Sequence, residues 1–517
     1  MAKYPDIKLA NLTQPLDHFG HSTNLTFQQR YWYSLRHYKP NSGKPTPIYV
    51  LDSGEVDGSS RLSYLDHGIL DILANATNGI GVVLEHRYYG KSYPPRKAFG
   101  NGTVWGVDQL RWLTTKQALE DNAQFVQNMT FEGVQEDASH FQAPNTPVIS
   151  YGGSYPGAKS AFVRLLYPDL IFGSLASSAV VTAIEQFPDY FYPIAAGAQQ
   201  DCTQAIQASV GWIDTILAPE PQKGQHQPKR DASKTHELLD LFGLADLKDP
   251  ADFANVLTIP LGSFQSLNWD PSVTSSDFAD FCTALVGEPS GPIEPAPQRR
   301  ADSLDAPKVV QNLAKFVKEQ YVQPCTSANA TVQECFGSSN WTSYTNATHL
   351  TDSISWTFQF CTQWGYLMTS PPYVKKSNSP YDFTPSGPKL ISSLIDLDYT
   401  SEVCKKGFLP GAHYTVPDHP QTEQVNKYGN FTIDVDRLAF IDGQYDPWRP
   451  ATVHSDQFAY GGNRIDTLDR PFKLIPDCWH HCDENGNKTY EPPRVHKIHS
   501  QEVQFVEHWL TQWKDKE

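Results

Sequence analysis

The chain has no apolar run of the roughly 18 residues that a bilayer-crossing helix needs, so no segment of it reads as a membrane span. Its N-terminus, MAKYPDIKLANLTQPLDHF, lacks the apolar core of a secretory leader. Positive charge is scarce: 41 Lys and Arg stand against 57 Asp and Glu, giving a formal net charge of −16. That balance argues against nucleic acid and against an anionic membrane surface as partners. It leaves a solvated acidic surface, whose self-repulsion falls if the medium is acidic and part of the carboxylates are protonated. There is no internal repeat.

What is present points outside the cytosol. Ten N-x-S/T sequons occur, at Asn11, Asn24, Asn75, Asn101, Asn128, Asn329, Asn340, Asn346, Asn430 and Asn487. Together they read as the surface of a secreted glycoprotein. The eight cysteines form an even set, Cys202, Cys282, Cys325, Cys335, Cys361, Cys404, Cys478 and Cys482, as a disulfide framework would. Secretion then requires a leader removed ahead of Met1 or replaced by it. At 517 residues, 39% of them hydrophobic and 12% aromatic, the chain can bury a large core. Its length favours two domains, or one domain with a large insertion.

Short apolar runs rich in β-branched residues, PIYVLDSG, GIGVVLEH, TPVISYGG and GSLASSAVV, predict buried strands in the first part of the chain. TTKQALEDNAQFVQNM and GAKSAFVRLLYP predict helices between them. This alternation implies a parallel sheet covered on both faces, an α/β fold. Residues 184–415 are loopier and proline-rich, with helical pieces such as KTHELLDLFGL and PKVVQNLAKFVKEQYV. GEPSGPIEPAPQRRADSLDAP reads as a long surface loop. HQPKRDASK reads as another, in which Lys229-Arg230 is read as a solvated pair rather than a processing site. Strands return at RLAFIDG and PFKLIPD, followed by a terminal helix with Val503, Val506, Leu510 and Trp513 on one face. The expected plan is a sheet-bearing domain, 1–183 and 416–517, split by a mainly helical insertion.

Three positions carry acyl-transfer chemistry. Such a site needs a nucleophile, a base and a carboxylate to orient the base, each on a loop at the C-terminal end of a strand, here in the order Ser, Asp, His. Ser154 follows PVISY, Asp446 follows LAFIDG, and His480 follows FKLI. Ser154 departs from the usual G-x-S-x-G turn, since Pro156 stands at the last glycine position. The oxyanion donors would be the N–H of Tyr155 and one from the loop at Gly54 and Glu55. His480 and His481 lie between Cys478 and Cys482, which raises a zinc reading. Adjacent histidines cannot easily face one ion together with those cysteines, so no metal is expected.

Together LEHRYYGKSYP, GGSYPGAKSAF, WTFQFCTQWG and DGQYDPW resemble the proline-specific serine peptidases. That family contains lysosomal Pro-X carboxypeptidase, dipeptidyl peptidase II and the fungal acid prolyl endopeptidases; the flanks look most like the last. The resemblance runs from LDHF to the final helix. It implies an α/β-hydrolase domain with a helical cap, catalytic Ser154, Asp446 and a histidine read as His480 rather than His481, no cofactor, and an acidic working pH in a secreted, vacuolar or lysosomal setting. It also implies cleavage after proline in peptides or proteins, foremost as an endopeptidase, with Pro-X carboxypeptidase and dipeptidyl peptidase as alternatives. A carboxylesterase, or an inactive binding protein on the same fold, is more remote. Trp448, Tyr155 and Trp356 are the residues expected to wall an apolar proline pocket. Glu85, His86 and Arg87 are read as scaffold, a Glu–Arg pair fixing a strand-end loop. The sequence is silent on oligomeric state.

Overall fold

The computed structural model describes residues 3–20, 23–40, 46–100, 104–218, 230–287, 304–338, 341–371, 389–455, 464–487 and 489–513. In chain order the strands are β1 (Ile7–Pro15), β2 (Thr26–Ser34), β3 (Ile48–Asp52), β4 (Ile80–Leu84), β5 (Val148–Gly153), β6 (Gly173–Ser177), β7 (Ile184–Gln186), β8 (Gly365–Leu367), β9 (Leu438–Gly443) and β10 (Phe472–Ile475). Eight of them form one sheet, ordered β1-β2-β4-β3-β5-β6-β9-β10, while β7 and β8 pair separately. The β1–β2 and β2–β4 ladders are antiparallel and the other ladders of the large sheet are parallel. This is an α/β-hydrolase sheet.

The central strands β3, β4, β5, β6 and β9 are buried along their whole length. That is why they are legible as continuous apolar runs. Their side chains still alternate between two cores. Ile48 and Val50 pack with Phe125 and Phe162 on one face, whereas Tyr49 and Leu51 pack with Leu73, Phe505 and Trp509 on the other. β1 and β2 were not expected from the sequence. β1 is an edge strand with mostly exposed or half-exposed residues, so its apolar signal is thin.

Between the parallel neighbours β6 and β9 the chain makes a long detour. Among its helices are Gln200–Leu217, Ala232–Leu241, Asp277–Val286, Lys308–Val317, Asp352–Gln359 and Leu397–Gly407. Disulfides Cys202–Cys282, Cys325–Cys335 and Cys361–Cys404 tie this detour together, and Cys478–Cys482 closes the loop after β10. Lys229 and most of the expected surface loop (288–303) lie outside the described residues. The described Arg230 donates to Leu217 O at 2.8 Å, and Asp231 caps the next helix.

The terminal helix is longer than its sequence signal, Pro493–Leu510, and is turned on its axis from the expected face. Glu502, Phe505, Val506 and Trp509 are buried, Val503 and Leu510 are only half-buried, and Trp513 lies past its end. A buried glutamate on the inner face hides that register from a reading by hydrophobicity. Trp509 fills the space left by Gly173, where a Cβ would sit 2.8 Å from the indole. Replacing Trp509 with Ala is expected to cost about 3–5 kcal/mol, from lost transfer energy and the cavity left behind. A denaturant titration monitored by circular dichroism measures it; a loss below about 1 kcal/mol would contradict this packing role.

Candidate active site

Ser154 joins β5 to helix Tyr155–Leu166 with φ 64° and ψ −126°, a backbone region that non-glycine residues avoid. Its N–H is held by Ser177 O at 2.9 Å, and its side chain is part-exposed. Tyr155 opens the helix, so its N–H has no helical acceptor. Pro156 is the second helical residue, where a missing N–H leaves no intrahelical bond unmade. The proline ring packs against Gly54, where a Cβ would lie 2.3 Å from Pro156 Cγ and where φ is +68°. Pro156 therefore fits this turn, and it brings the β3 loop against the elbow.

Asp446 sits three residues beyond β9 and His480 five residues beyond β10; both are buried. His480 Nδ1 lies 2.9 Å from each Asp446 carboxylate oxygen. Trp448 N–H also donates to Asp446 Oδ1, at 2.8 Å. The neighbouring His481 pairs instead with Glu484, at 2.9 Å. Of the two histidines, the structure thus joins His480 to Asp446. No hydrogen bond links Ser154 Oγ to His480 among the described residues; in substrate-free hydrolases that contact is commonly long.

Burial pushes the Asp446 carboxyl up, but the charge and hydrogen bond of His480, with the Ser178 hydroxyl and the Trp448 N–H, hold it below its usual range. Burial lowers His480, helped by the charge of His481 and opposed by Asp446. Burial alone would lower His481, yet Glu484 outweighs it and raises the imidazole. Burial would raise Glu484, but His481, with Arg61 and Tyr64, brings it down to about 2. A charged His481–Glu484 pair therefore stands beside a His480 that loses its proton readily. The two imidazole centroids are 4.3 Å apart.

The expected oxyanion loop is corrected in one respect. Gly54 N–H is taken by Asp52 Oδ1 at 3.0 Å, so it is not a free donor. Asp52 also binds Asn122 Nδ2 at 3.1 Å and Lys159, which pins the end of β3. This leaves the Glu55 N–H, which lies against its own carboxyl, as the second candidate beside Tyr155. The Glu55 carboxyl itself is pushed up to about 7 by burial.

The expected pocket aromatics belong to one chain of ring contacts. Trp356 meets Tyr155 at 5.8 Å, Tyr155 meets Trp364 at 5.1 Å, Trp364 meets Tyr366 at 6.2 Å, and Tyr366 meets Trp448 at 5.1 Å. Trp448 is 6.3 Å from the His480 ring and stacks on Phe187 at 5.7 Å. Trp448 and Trp356 are part-exposed, but Tyr155 is fully buried, with its hydroxyl 2.9 Å from His86 Nε2. Tyr155 therefore backs the pocket and does not line it. Phe187, Tyr190 and Tyr366 were missed in the sequence because isolated aromatics in a loopy region look like ordinary core.

The EHRYYGKS run is scaffold, though Glu85 and Arg87 do not pair with each other. Glu85 binds Arg30 Nε at 2.9 Å and Ser92 Oγ at 2.6 Å, while Arg87 forks onto Asp121 at 2.5 and 2.7 Å. His86 donates through Nδ1 to Arg87 O at 2.7 Å, and burial takes its pKa down to about 3, so it is a neutral acceptor for Tyr155.

Residues 14–499 match the family model described as serine carboxypeptidase S28. The chain is 37% identical over 520 residues to a probable extracellular serine carboxypeptidase of Arthroderma benhamiae, covering 96% of this chain and 67% of that one. It is 24% identical to the thymus-specific serine protease of Mus musculus, covering 96% and 87%. It is 23% identical to the lysosomal Pro-X carboxypeptidase of the same organism, covering 96% and 88%. With a match that spans nearly its whole length, the chain belongs to the S28 family of serine carboxypeptidases and is a serine-type peptidase.

Proposed function

We propose that this peptidase hydrolyses bonds on the carboxyl side of proline through an acyl-enzyme formed on Ser154. The observation that supports it most is the buried Asp446–His480 pair beyond the ends of β9 and β10, on the same edge of the sheet as the strained Ser154 turn. In this reading Ser154 Oγ attacks the carbonyl carbon as His480 Nε2 takes its proton. The oxyanion is received by the N–H groups of Tyr155 and Glu55. His480 then gives the proton to the leaving amine and the C–N bond breaks. Water, deprotonated by the same imidazole, releases the acid. Asp446 accepts from Nδ1 and keeps the lone pair on Nε2. No cofactor enters.

Proline has a compact apolar ring and no N–H, which suits a part-exposed aromatic wall beside the base. Trp448 supplies that wall, with Trp356 further along. The name of one relative, a Pro-X carboxypeptidase, agrees with this preference. For the mode of cleavage, the sequence resemblance favours internal bonds, whereas the names of two relatives favour the carboxyl-terminal bond.

An extracellular or lysosomal, acidic setting fits the disulfides and the printed names of these relatives. No helix among the described residues is long and apolar enough to cross a membrane. Of the sequon asparagines, Asn11, Asn24, Asn75, Asn128, Asn329 and Asn346 are exposed, and Asn430 and Asn487 are part-buried. Asn101 and Asn340 lie outside the described residues. The exposed six are the proposed glycan sites.

Proline peptides with free or doubly blocked ends, assayed at acid and neutral pH, test the reading. Ser154→Ala and His480→Ala are each expected to lose about 10⁴-fold or more in kcat. Wild-type rates in either, or no dependence on proline, would sink it. Cleavage of doubly blocked peptides identifies internal cutting. Trp448→Ala should reduce the preference for proline over alanine by about 10-fold or more; an unchanged ratio would remove Trp448 from the pocket. His480 lies below its ordinary value of 6.5, so the acid limb of kcat/KM should fall below that pH. His481→Gln removes a neighbouring positive charge, raises His480 and should move the limb to higher pH; a limb that stays in place or moves down contradicts the assignment.

A further inference from the structure

Gln265 lies in a short 3-10 helix of the detour, Ser263–Ser266, and the chain here is fastened at two points to the part of the molecule that carries His480. Gln265 Oε1 accepts the Trp448 indole N–H at 2.7 Å and the Tyr190 hydroxyl at 3.0 Å. Further along, Trp269 Nε1 donates to Cys482 O at 2.7 Å, in the loop that bears His480. Both anchors flank that histidine: the Trp448 ring is 6.3 Å from the His480 ring, and Cys482 follows His480 in the same loop. The segment therefore runs alongside His480 and the expected proline wall.

The two ends of the Gln265 amide are used differently. An indole N–H can only donate, so the atom that faces Trp448 is the amide oxygen, and the nitrogen points elsewhere. Two donors then fill Oε1. Nε2 carries two N–H groups and donates to nothing among the described residues, and the part-exposed side chain leaves it open to solvent. Beside the aromatic wall, Gln265 thus presents donors and no free acceptor.

A prolyl peptide has a chemical counterpart to such a group. With the proline ring against Trp448, two carbonyls flank the ring. The scissile one goes to the oxyanion donors. The other belongs to the residue before proline and is bonded to the ring nitrogen. That tertiary amide has an acceptor oxygen and no N–H, so a group that only donates satisfies it fully. We infer that Gln265 is a substrate-contacting residue of this peptidase: Nε2 donates to the carbonyl of the residue preceding proline, while Oε1 holds the indole against which the ring packs. This rests on the reading of the protein as a proline-directed peptidase with Trp448 as the wall. One side chain then couples recognition of the ring to recognition of the peptide bond that precedes it.

Gln265→Glu separates the two ends, because an ionised carboxylate still accepts from Trp448 and Tyr190 but cannot donate. Gln265→Met removes both. Each is measured for kcat, KM and melting temperature at about pH 6, above the ordinary carboxylate range. The substrates are X–Pro peptides with free and blocked carboxyl ends, and the same peptides with the X–Pro carbonyl replaced by a thiocarbonyl, a weaker acceptor. Gln265→Glu is expected to lose about 5–10-fold in kcat/KM on the oxygen peptides, the range of one unmade hydrogen bond. The thiocarbonyl should cost the wild type about 5–10-fold and Gln265→Glu almost nothing, since the donor is already gone. Misfolding cannot imitate that loss of coupling, because the folded fraction cancels between the two peptides. Equal thiocarbonyl penalties in both proteins, or a wild-type kcat/KM in Gln265→Glu, would overturn the inference. So would a loss confined to peptides with a free carboxyl end, which would put the donor on the leaving side of the bond. If Gln265→Glu does not fold, Gln265→Met takes its place in the comparison, and a wild type that cleaves both peptides equally overturns the inference without any variant. A wild type with no preference for proline would instead break the reading on which it rests.

Discussion

A carboxylate shut away from water organises this site. Asp446 is fully buried, and an ionised acid in that position is tolerated only when donors surround it. His480 and the Trp448 N–H supply them, from different parts of the fold. The loop after β10 brings the imidazole, and the turn after β9 brings the amide. The same bonds that satisfy the charge join the C-terminal ends of two neighbouring parallel strands, β9 and β10.

The elbow depends on this arrangement for space. Gly153 lies against Glu484, and a Cβ there would meet Glu484 Oε1 at 2.2 Å. The His481–Glu484 pair is thus wedged directly behind the nucleophile turn. Asp483, the next acid in the loop, is bonded by Tyr151 of β5 and Ser177 of β6, each at 2.5 Å, and its carbonyl accepts from His499 of the terminal helix at 2.9 Å. The loop bearing His480 is therefore attached to the strand that leads to Ser154, and Cys478–Cys482 brackets both histidines. Relative placement of Ser154 and His480 is set by packed backbone, as the proposed acyl transfer would require.

The detour between β6 and β9 completes the aromatic wall. Trp448 comes from the sheet-bearing part, but Phe187, Tyr190, Trp356, Trp364 and Tyr366 all come from the detour. Gln265, deep within it, accepts from Trp448 Nε1 at 2.7 Å and from the Tyr190 hydroxyl at 3.0 Å. An indole N–H can only donate, so this amide fixes the ring's orientation. The sheet-bearing part and the detour thus meet at one tryptophan.

Local sequence patterns determined the central strands, the elbow helix and the order Ser154, Asp446, His480. Parallel strands buried on both faces are continuous apolar runs, and the three residues follow within a few positions of strand ends. Sequence also showed that Pro156 leaves the Tyr155 N–H intact. Other features were decided only when distant segments met. His480 and His481 are adjacent and chemically identical, and only the placement of Asp446 and Glu484 assigns each a partner. Gly54 and Glu55 stand side by side, and only the fold shows that Asp52 takes the first N–H while the second lies against the Glu55 carboxyl. Arg87 and Glu85 look like a pair in sequence, yet each is drawn to an opposite charge, Asp121 and Arg30, brought from elsewhere in the fold. The terminal helix kept its period but turned its buried face onto Glu502. Ser178 carries no sequence signal at all. A serine is unremarkable until burial, a left-handed dihedral and a partner more than 250 residues away, the His481 N–H, tie it to the His480 loop. Periodicity and strand-end position are local properties; the partners of a buried charge are not, because they are chosen by the packing of the whole chain.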